Sequence, residues 1–381
     1  MVLMNRQALL DAASRQTGLA DFGPDYFLEP MGRLLDSIEA DARLTEAGAA
    51  GQRARIVNTL TTRLRMFDAI ARHPEIAAER VEVAGVICGL TRTGSTMFHR
   101  MLAVAPGMTA IRWWECLNYA PFPNEERGNP VERRRAAEIT MDGYVKAGMA
   151  SIHPFAIEEP DEEIIIMDQF FVGTMPESLM YVPAFTRWLA TYDHHAAYGD
   201  LKTVLKFLQW QDPSRRGKRW VLKAPGHLAT LETLLDTFPE AVVITTHRDP
   251  VQTIPSYCSL VNAMIRMSSD EIAPETVGRF TEKRWAGFLK HFTQSRDRLD
   301  ADRFIDVRYE DLVSAPLEQA RRVLSRLGIE MTPPIETKMA EWLLENARDK
   351  RAAHHYTMEE FGLSKAVIEQ DFGFYRNRFL T

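Results

Sequence analysis

The sequence predicts an α/β protein, with a central parallel β-sheet and helices against it. Short apolar runs that end at glycine or at polar residues read as buried strands, at Val83–Gly89, Trp220–Lys223, Ala241–Thr246 and Phe304–Val307. Helical periodicity fills the intervals, as in Leu228, Leu231, Leu234, Leu235 and Phe238. Strands that alternate with helices imply right-handed βαβ crossovers in one sheet.

The elements follow in order. Ile56, Leu60, Leu64 and Phe67 recur at spacings of three and four, so residues 1–80 read as a helical segment packed on the core. Val83, Ala84, Val86, Ile87 and Cys88 then form a nearly continuous apolar run that stops at Gly89. A second helical stretch is expected from Pro130 to Trp210, interrupted by a proline-containing acidic piece over 152–163. The basic loop Asp212–Arg219 leads into the second strand, and Pro239 closes the helix after it. Leu317, Ala320, Val323, Leu324 and Leu327 supply the partner helix of the last strand. The organisation predicted is a three-layer α/β domain over 81–381, with a helical cap inserted at about 125–210.

Composition narrows the function. The chain has 381 residues, 45% hydrophobic and 26% charged, which suits one large or two smaller domains. A formal net charge of −6 gives no reason to expect nucleic acid or an anionic membrane as partner, so any basic site is local. No apolar run is long enough for a bilayer, and the N-terminus lacks the apolar stretch of a secretory signal. Cys88, Cys116 and Cys258 lie far apart without a C-x-x-C pair, against both a disulfide framework and a zinc site. A reducing, cytoplasmic setting is the expectation.

The most informative segment joins the first strand to a helix: Gly89-Leu-Thr91-Arg92-Thr93-Gly94-Ser95-Thr96, followed by Met97, Phe98, Met101 and Leu102. Glycines let backbone N–H groups turn inward, the helix N-terminus adds its dipole, and Arg92, Ser95 and Thr96 add charge and hydroxyls. Such a loop grips a phosphate; the alternative is a plain turn with Ser95 as cap. The glycine spacing is P-loop-like, yet Ser95 stands where a nucleotide triphosphatase needs lysine. A kinase or NTPase would also need an acidic magnesium partner, and a glycosyltransferase a D-x-D motif.

A second signal is independent of the first. The strand over 241–246 delivers His247-Arg248-Asp249-Pro250 at its carboxyl end, where ligands bind in open α/β sheets, with Ser256 in the next helix. The arginine fork and the serine hydroxyl suit one phosphate, unless Arg248 merely pairs with Asp249.

Together these segments resemble the sulfotransferases that use 3′-phosphoadenosine 5′-phosphosulfate (PAPS), in the bacterial branch of that family. Thr91, Arg92, Thr93, Gly94, Ser95 and Thr96 look like its 5′-phosphosulfate loop, and Arg248 with Ser256 like its 3′-phosphate pair. The segments starting at Trp220, Phe238, Arg308 and His355 are also similar, and the resemblance runs from about Val83 to the C-terminus. Thr91 replaces a proline that commonly precedes the basic residue, a change that removes no phosphate donor.

The resemblance implies sulfuryl transfer from PAPS, with 3′-phosphoadenosine 5′-phosphate (PAP) as product, to a hydroxyl or amine of a small acceptor. No metal is expected. Arg92 would stabilise the leaving phosphate. Lys223, at a strand end, takes a transfer role by analogy with tyrosylprotein sulfotransferases, unless it is a surface lysine. Glu115 stands at about the distance of the glutamate base in those enzymes, and Trp113 and Trp114 beside it would raise its pKa towards neutrality. The bland reading of Glu115 is a salt bridge with Arg112 or another arginine, and His153 is its main rival as base. Lys350 or Arg351 would reach the 3′-phosphate, on family analogy alone. Phe, Met and Ile residues between Phe155 and Phe185 either line an apolar pocket for a phenolic or lipid acceptor or form the core of the cap. A non-catalytic PAPS-binding homologue is the remaining alternative.

Overall fold

The computed structural model describes residues 4–146, 148, 156–346 and 356–381. Among them, five strands form one parallel sheet: β1 (Val83–Gly89), β2 (Met108–Thr109), β3 (Arg219–Lys223), β4 (Val242–His247) and β5 (Phe304–Arg308). Their order across the sheet is β2-β3-β1-β4-β5. Four of the five lie where the apolar runs predict them. The edge strand β2 is two residues long and leaves no periodicity to read.

Helices α1 (Arg6–Thr17), α2 (Leu28–Asp41) and α3 (Glu46–Arg72) precede β1, and α4 (Ser95–Ala103) follows it. Between β2 and β3 lie α5 (Trp113–Leu117), α6 (Val131–Lys146), α7 (Ile164–Gln169), α8 (Pro176–Leu179), α9 (Pro183–Leu189) and α10 (His195–Gln211). Helix α11 (Leu231–Thr237) joins β3 to β4, while α12 (Pro250–Arg266) and α13 (Pro274–Arg298) join β4 to β5. After β5 come α14 (Tyr309–Ser314), α15 (Pro316–Arg326), α16 (Pro333–Glu345), α17 (Lys365–Asp371) and α18 (Gly373–Phe379). Prolines divide the stretch expected to be helical from Pro130 to Trp210. Pro176 and Pro183 each open a short helix, as their missing N–H and fixed φ allow.

The sheet is the middle of three layers. Along β1, Val86 and Cys88 turn to one apolar cluster and Ala84 and Ile87 to the other. The first cluster includes Leu34 of α2, Leu60 of α3, Leu205 of α10 and Phe292 of α13. The second includes Phe98 of α4, Val323 of α15 and Met339 of α16. All seven residues of β1 are buried, which is why the strand reads as a continuous rather than alternating apolar run. Truncating a side chain such as Ile244, fully buried between the layers, would cost about 2–5 kcal/mol.

Strand β1 is central, with chain segments departing to opposite sides: β3 on one flank and β4 on the other. The crevice at such a switch point is where open α/β sheets bind ligands. In register, Ile87 pairs with Lys223 and Gly89 with Thr246, so the carboxyl ends of all three strands meet there.

Candidate active site

The loop after β1 is held by two close approaches. Gly89 has φ 153°, and a Cβ on it would lie 2.4 Å from the Thr246 carbonyl oxygen, so only glycine lets β1 pass β4 here. Gly94 has φ 80° and packs beside Leu312 and Tyr309 of α14. Between them, Thr93 is buried, its hydroxyl 2.8 Å from the Leu90 carbonyl and 2.6 Å from the Thr246 hydroxyl. The N-cap of α4, Gly94, brings no side-chain acceptor to the first turn. The amides of that turn therefore offer their hydrogens to an anion.

Arg92 takes a left-handed backbone conformation, φ 68°, which an L-residue other than glycine adopts only when its surroundings hold it there. Arg248 supplies that hold, donating from Nη1 to the Arg92 carbonyl at 2.8 Å. Arg92 Nε in turn donates to Ser256 Oγ at 3.2 Å. The two motifs read separately in the sequence are thus one hydrogen-bonded unit. Arg248 is further braced by Gln252 at 3.1 Å and by the ring of Tyr309, 3.8 Å from its guanidinium carbon.

Lys223, at the end of β3, is buried and not a surface residue. Its ammonium donates to Thr96 Oγ1 at 3.1 Å and forms an ion pair with Glu162. Glu163 fixes the same strand end, accepting from the Lys223 backbone N–H at 2.9 Å and from His227 Nε2 at 2.6 Å. Burial disfavours the Glu163 carboxylate charge, but the hydrogen bonds from His227 and Lys223 outweigh it and hold the group below the usual carboxylate range. His227 is anchored on its other side by the Tyr198 hydroxyl at 2.6 Å. His99 donates to the Val221 carbonyl at 3.1 Å, and burial, then the Lys223 charge, push its pKa down to about 4. His247 bonds Asp306 at 2.7 Å and Tyr375 at 2.8 Å, so it ties β4 to β5 and α18.

A cavity of about 610 Å³ opens at this point, within the range of small-molecule sites. Thr91, Arg92, Ser95, Thr96, Lys223 and Glu162 line its polar end. Elsewhere its wall is largely apolar and comes from distant segments, among them Ile165, Leu179, Leu260 and Met264, with one face of α3. Residues before position 80 thus reach the site, through a helix whose spacing announces only that it is amphipathic.

Glu115 is not among the residues that line this cavity. Its carboxylate accepts from Arg215 Nη2 at 2.8 Å on both oxygens and from the Arg112 backbone N–H at 2.8 Å, closing a capping box on α5. Both partners of the Glu115–Arg215 pair are buried. This is the bland alternative named above, with Arg215 as the arginine. His153, Lys350 and Arg351 lie outside the described residues.

Sequence reasoning missed Glu162 and Glu163. They fall in an acidic piece read as a break, because a run of charges is usually a solvated face. The available signal was position: Asp161-Glu162-Glu163 leads directly into the apolar Ile164-Ile-Ile-Met. Asp161 and Glu163 are buried, Asp161 beside Arg100 at 3.5 Å. Among the described residues, no three His, Cys, Asp or Glu side chains gather as metal ligands would, and no helix is long and apolar enough to cross a membrane.

Comparisons with known proteins agree with this geometry. The sequence model described as "Sulfotransferase family" matches residues 86–333. The chain is 26% identical over 303 residues to omega-hydroxy-beta-dihydromenaquinone-9 sulfotransferase Stf3 of Mycobacterium bovis, covering 75% of this chain and 72% of that one. The structure superposes on sulfotransferase STF1 from Mycobacterium tuberculosis with TM-score 0.85 and 28% identity, over 97% and 98% of the two chains. Sulfotransferase STF9 from Mycobacterium avium shares the fold with TM-score 0.88 at 24% identity, over 99% and 97%.

Proposed function

We propose that this chain, which belongs to the sulfotransferase family, moves a sulfuryl group from PAPS to a hydroxyl of a small, largely apolar acceptor. The observation that carries the reading is the convergence of Arg92, Arg248 and Lys223 at the ends of three adjacent strands, with Ser256 of α12 and the uncapped N-terminus of α4. These residues fit a nucleotide with phosphate at both ends of its ribose. The α4 amides, Arg92, Ser95 and Thr96 would hold the 5′ end, and Arg248 with Ser256 the 3′ end. When bound, PAPS supplies the activated sulfuryl group.

The roles of the side chains follow from their surroundings. Lys223 is held between Thr96 and Glu162 and is placed to neutralise charge on the bridging oxygen as it leaves. Arg92 does the same for the phosphate. For the base we favour Glu162 over Glu115. Glu162 lines the cavity and lies against Lys223, whereas Glu115 would first have to leave its buried pair with Arg215. A carboxylate beside the transferring group can take the acceptor's proton within hydrogen-bond reach. Glu163, His227 and Tyr198 touch neither substrate in this scheme and act by fixing the end of β3.

The apolar wall supports a lipid-like or phenolic acceptor, in line with the relative named for acting on omega-hydroxy-beta-dihydromenaquinone-9. Calorimetric titration with PAP, ATP and 5′-AMP tests the donor half. Tight binding of PAP alone is the expected result, and preference for ATP with magnesium would overturn the reading in favour of a kinase.

A further inference from the structure

We propose that Arg55 and Asp168 form a second recognition point in the acceptor cavity, selecting molecules that carry a neutral hydroxyl remote from the one that is sulfated. The proposal rests on the functional reading above for the identity of the cavity as the acceptor site.

Helix α3 turns Gly48, Gln52, Arg55 and Thr59 towards the cavity, at the three- and four-residue spacing of one helical face. Gly48 is pressed against the turn that follows α12: a Cβ there would lie 2.1 Å from the Ser268 carbonyl oxygen. This approach lets Gln52 Nε2 donate to Ser268 Oγ at 3.2 Å, while Gln52 Oε1 accepts from Arg55 Nε at 2.8 Å. Arg55 Nη1 forms an ion pair with Asp168, the latter buried at 5% exposure and also on the cavity lining. A chain of hydrogen bonds thus fixes both side chains in a wall that is otherwise mostly apolar.

The chain ends unfinished. Arg55 Nη2 and Asp168 Oδ1 are both buried without a hydrogen-bond partner. Buried polar atoms are nearly always satisfied, so a leftover donor beside a leftover acceptor calls for a ligand group able to meet both. A hydroxyl does so, accepting from the guanidinium and donating to the carboxylate. The pair carries no net charge. A ligand carboxylate would meet Asp168 and an ammonium would meet Arg55, so charged groups are turned away. A purely apolar end leaves both atoms unpaired, which is the situation that gives polar sites their strongest discrimination.

The test is calorimetric titration of the full chain, with and without PAP, using a homologous series of alkane α,ω-diols. At each chain length the matching monoalcohol, ω-hydroxy carboxylate and ω-amino alcohol are the controls. At one length the diol should bind about tenfold or more tightly than all three controls. The double variant Arg55→Met/Asp168→Leu removes both charges together and leaves no lone buried ion. It should keep the PAP affinity and bind diol and monoalcohol alike. A diol no tighter than its monoalcohol at every length, or a preference that survives in the double variant, overturns the proposal. If the double variant does not fold, the wild-type comparison alone decides. Because the alcohols are also titrated without nucleotide, failure of the donor reading, seen as absent PAP binding, is told apart from failure here.

Discussion

At one end of the cavity, Arg92 and Lys223 stand where parallel strands stop, and strand register brings Arg248, just past β4, against the Arg92 loop. On the acceptor side the wall is assembled from α3, the segment around α7, and helices α8 and α12, with no shared register. That end is made of short contiguous pieces, each a strand end with the loop or helix turn that follows it. The rest of the wall draws its apolar side chains, and the Arg55–Asp168 pair, from segments far apart in the chain. One end of the cavity is therefore built locally in this chain, and the rest of its wall by long-range contacts.

Substitutions can break this contrast or sharpen it, and the largest effect belongs at the junction of the two regions. Glu162→Gln should lower kcat by roughly 10²–10⁴ with PAP affinity retained, measured as PAPS-dependent sulfation of an accepted alcohol. Near-normal turnover would move the base elsewhere. At the donor end, Arg92→Ala should lower kcat by about 10²–10³, as loss of one preorganised charge does. A loss below tenfold would mean that the loop amides suffice for the leaving phosphate.

Glu115→Gln should instead act on stability. It weakens the buried pair with Arg215 and should cost up to about 3 kcal/mol, read as a lower thermal midpoint, with kcat of the folded fraction unchanged. A selective loss of kcat would return Glu115 to the chemistry. Arg248→Ala should weaken PAP by roughly 10–100-fold, the value of one or two charge-assisted hydrogen bonds, and leave acceptor KM unaltered. The smallest effect is expected on the apolar wall. Leu260→Ala should raise acceptor KM by about tenfold and leave PAP affinity as it is, since shortening one wall residue costs only the contacts it made. Were PAP affinity to fall with it, the separation of donor end from acceptor wall would not hold.

The strand ends and the loop beside them were legible because their signals are short-range. Strand β1 spans the residues that the apolar run marks, β3 and β5 differ from expectation by one residue at one end, and β4 by one residue at each end. The loop and the Arg248–Ser256 pair follow from spacing. Which carboxylate reaches the cavity was not legible in the same way. Glu115 and Glu162 are both carboxylates next to apolar residues, and only Glu115 was a candidate from the sequence, by its distance from the loop. Which one faces the cavity depends on Arg215, a hundred residues after Glu115, which engages that carboxylate in a buried pair.

Local pattern in the sequence was enough for the parallel sheet and for the sulfotransferase family. Each rests on an interaction within a strand, a turn or the first turn of a helix, where near neighbours in the chain are also near in space. It took the packed molecule to show that Lys223 is buried beside Glu162, that Glu115 is held by Arg215, and that α3 walls the cavity with Arg55 against Asp168. Those pairings join positions 61, 100 and 113 residues apart. Charges so placed find their partners through the packing of whole layers, and no local pattern in the chain encodes that.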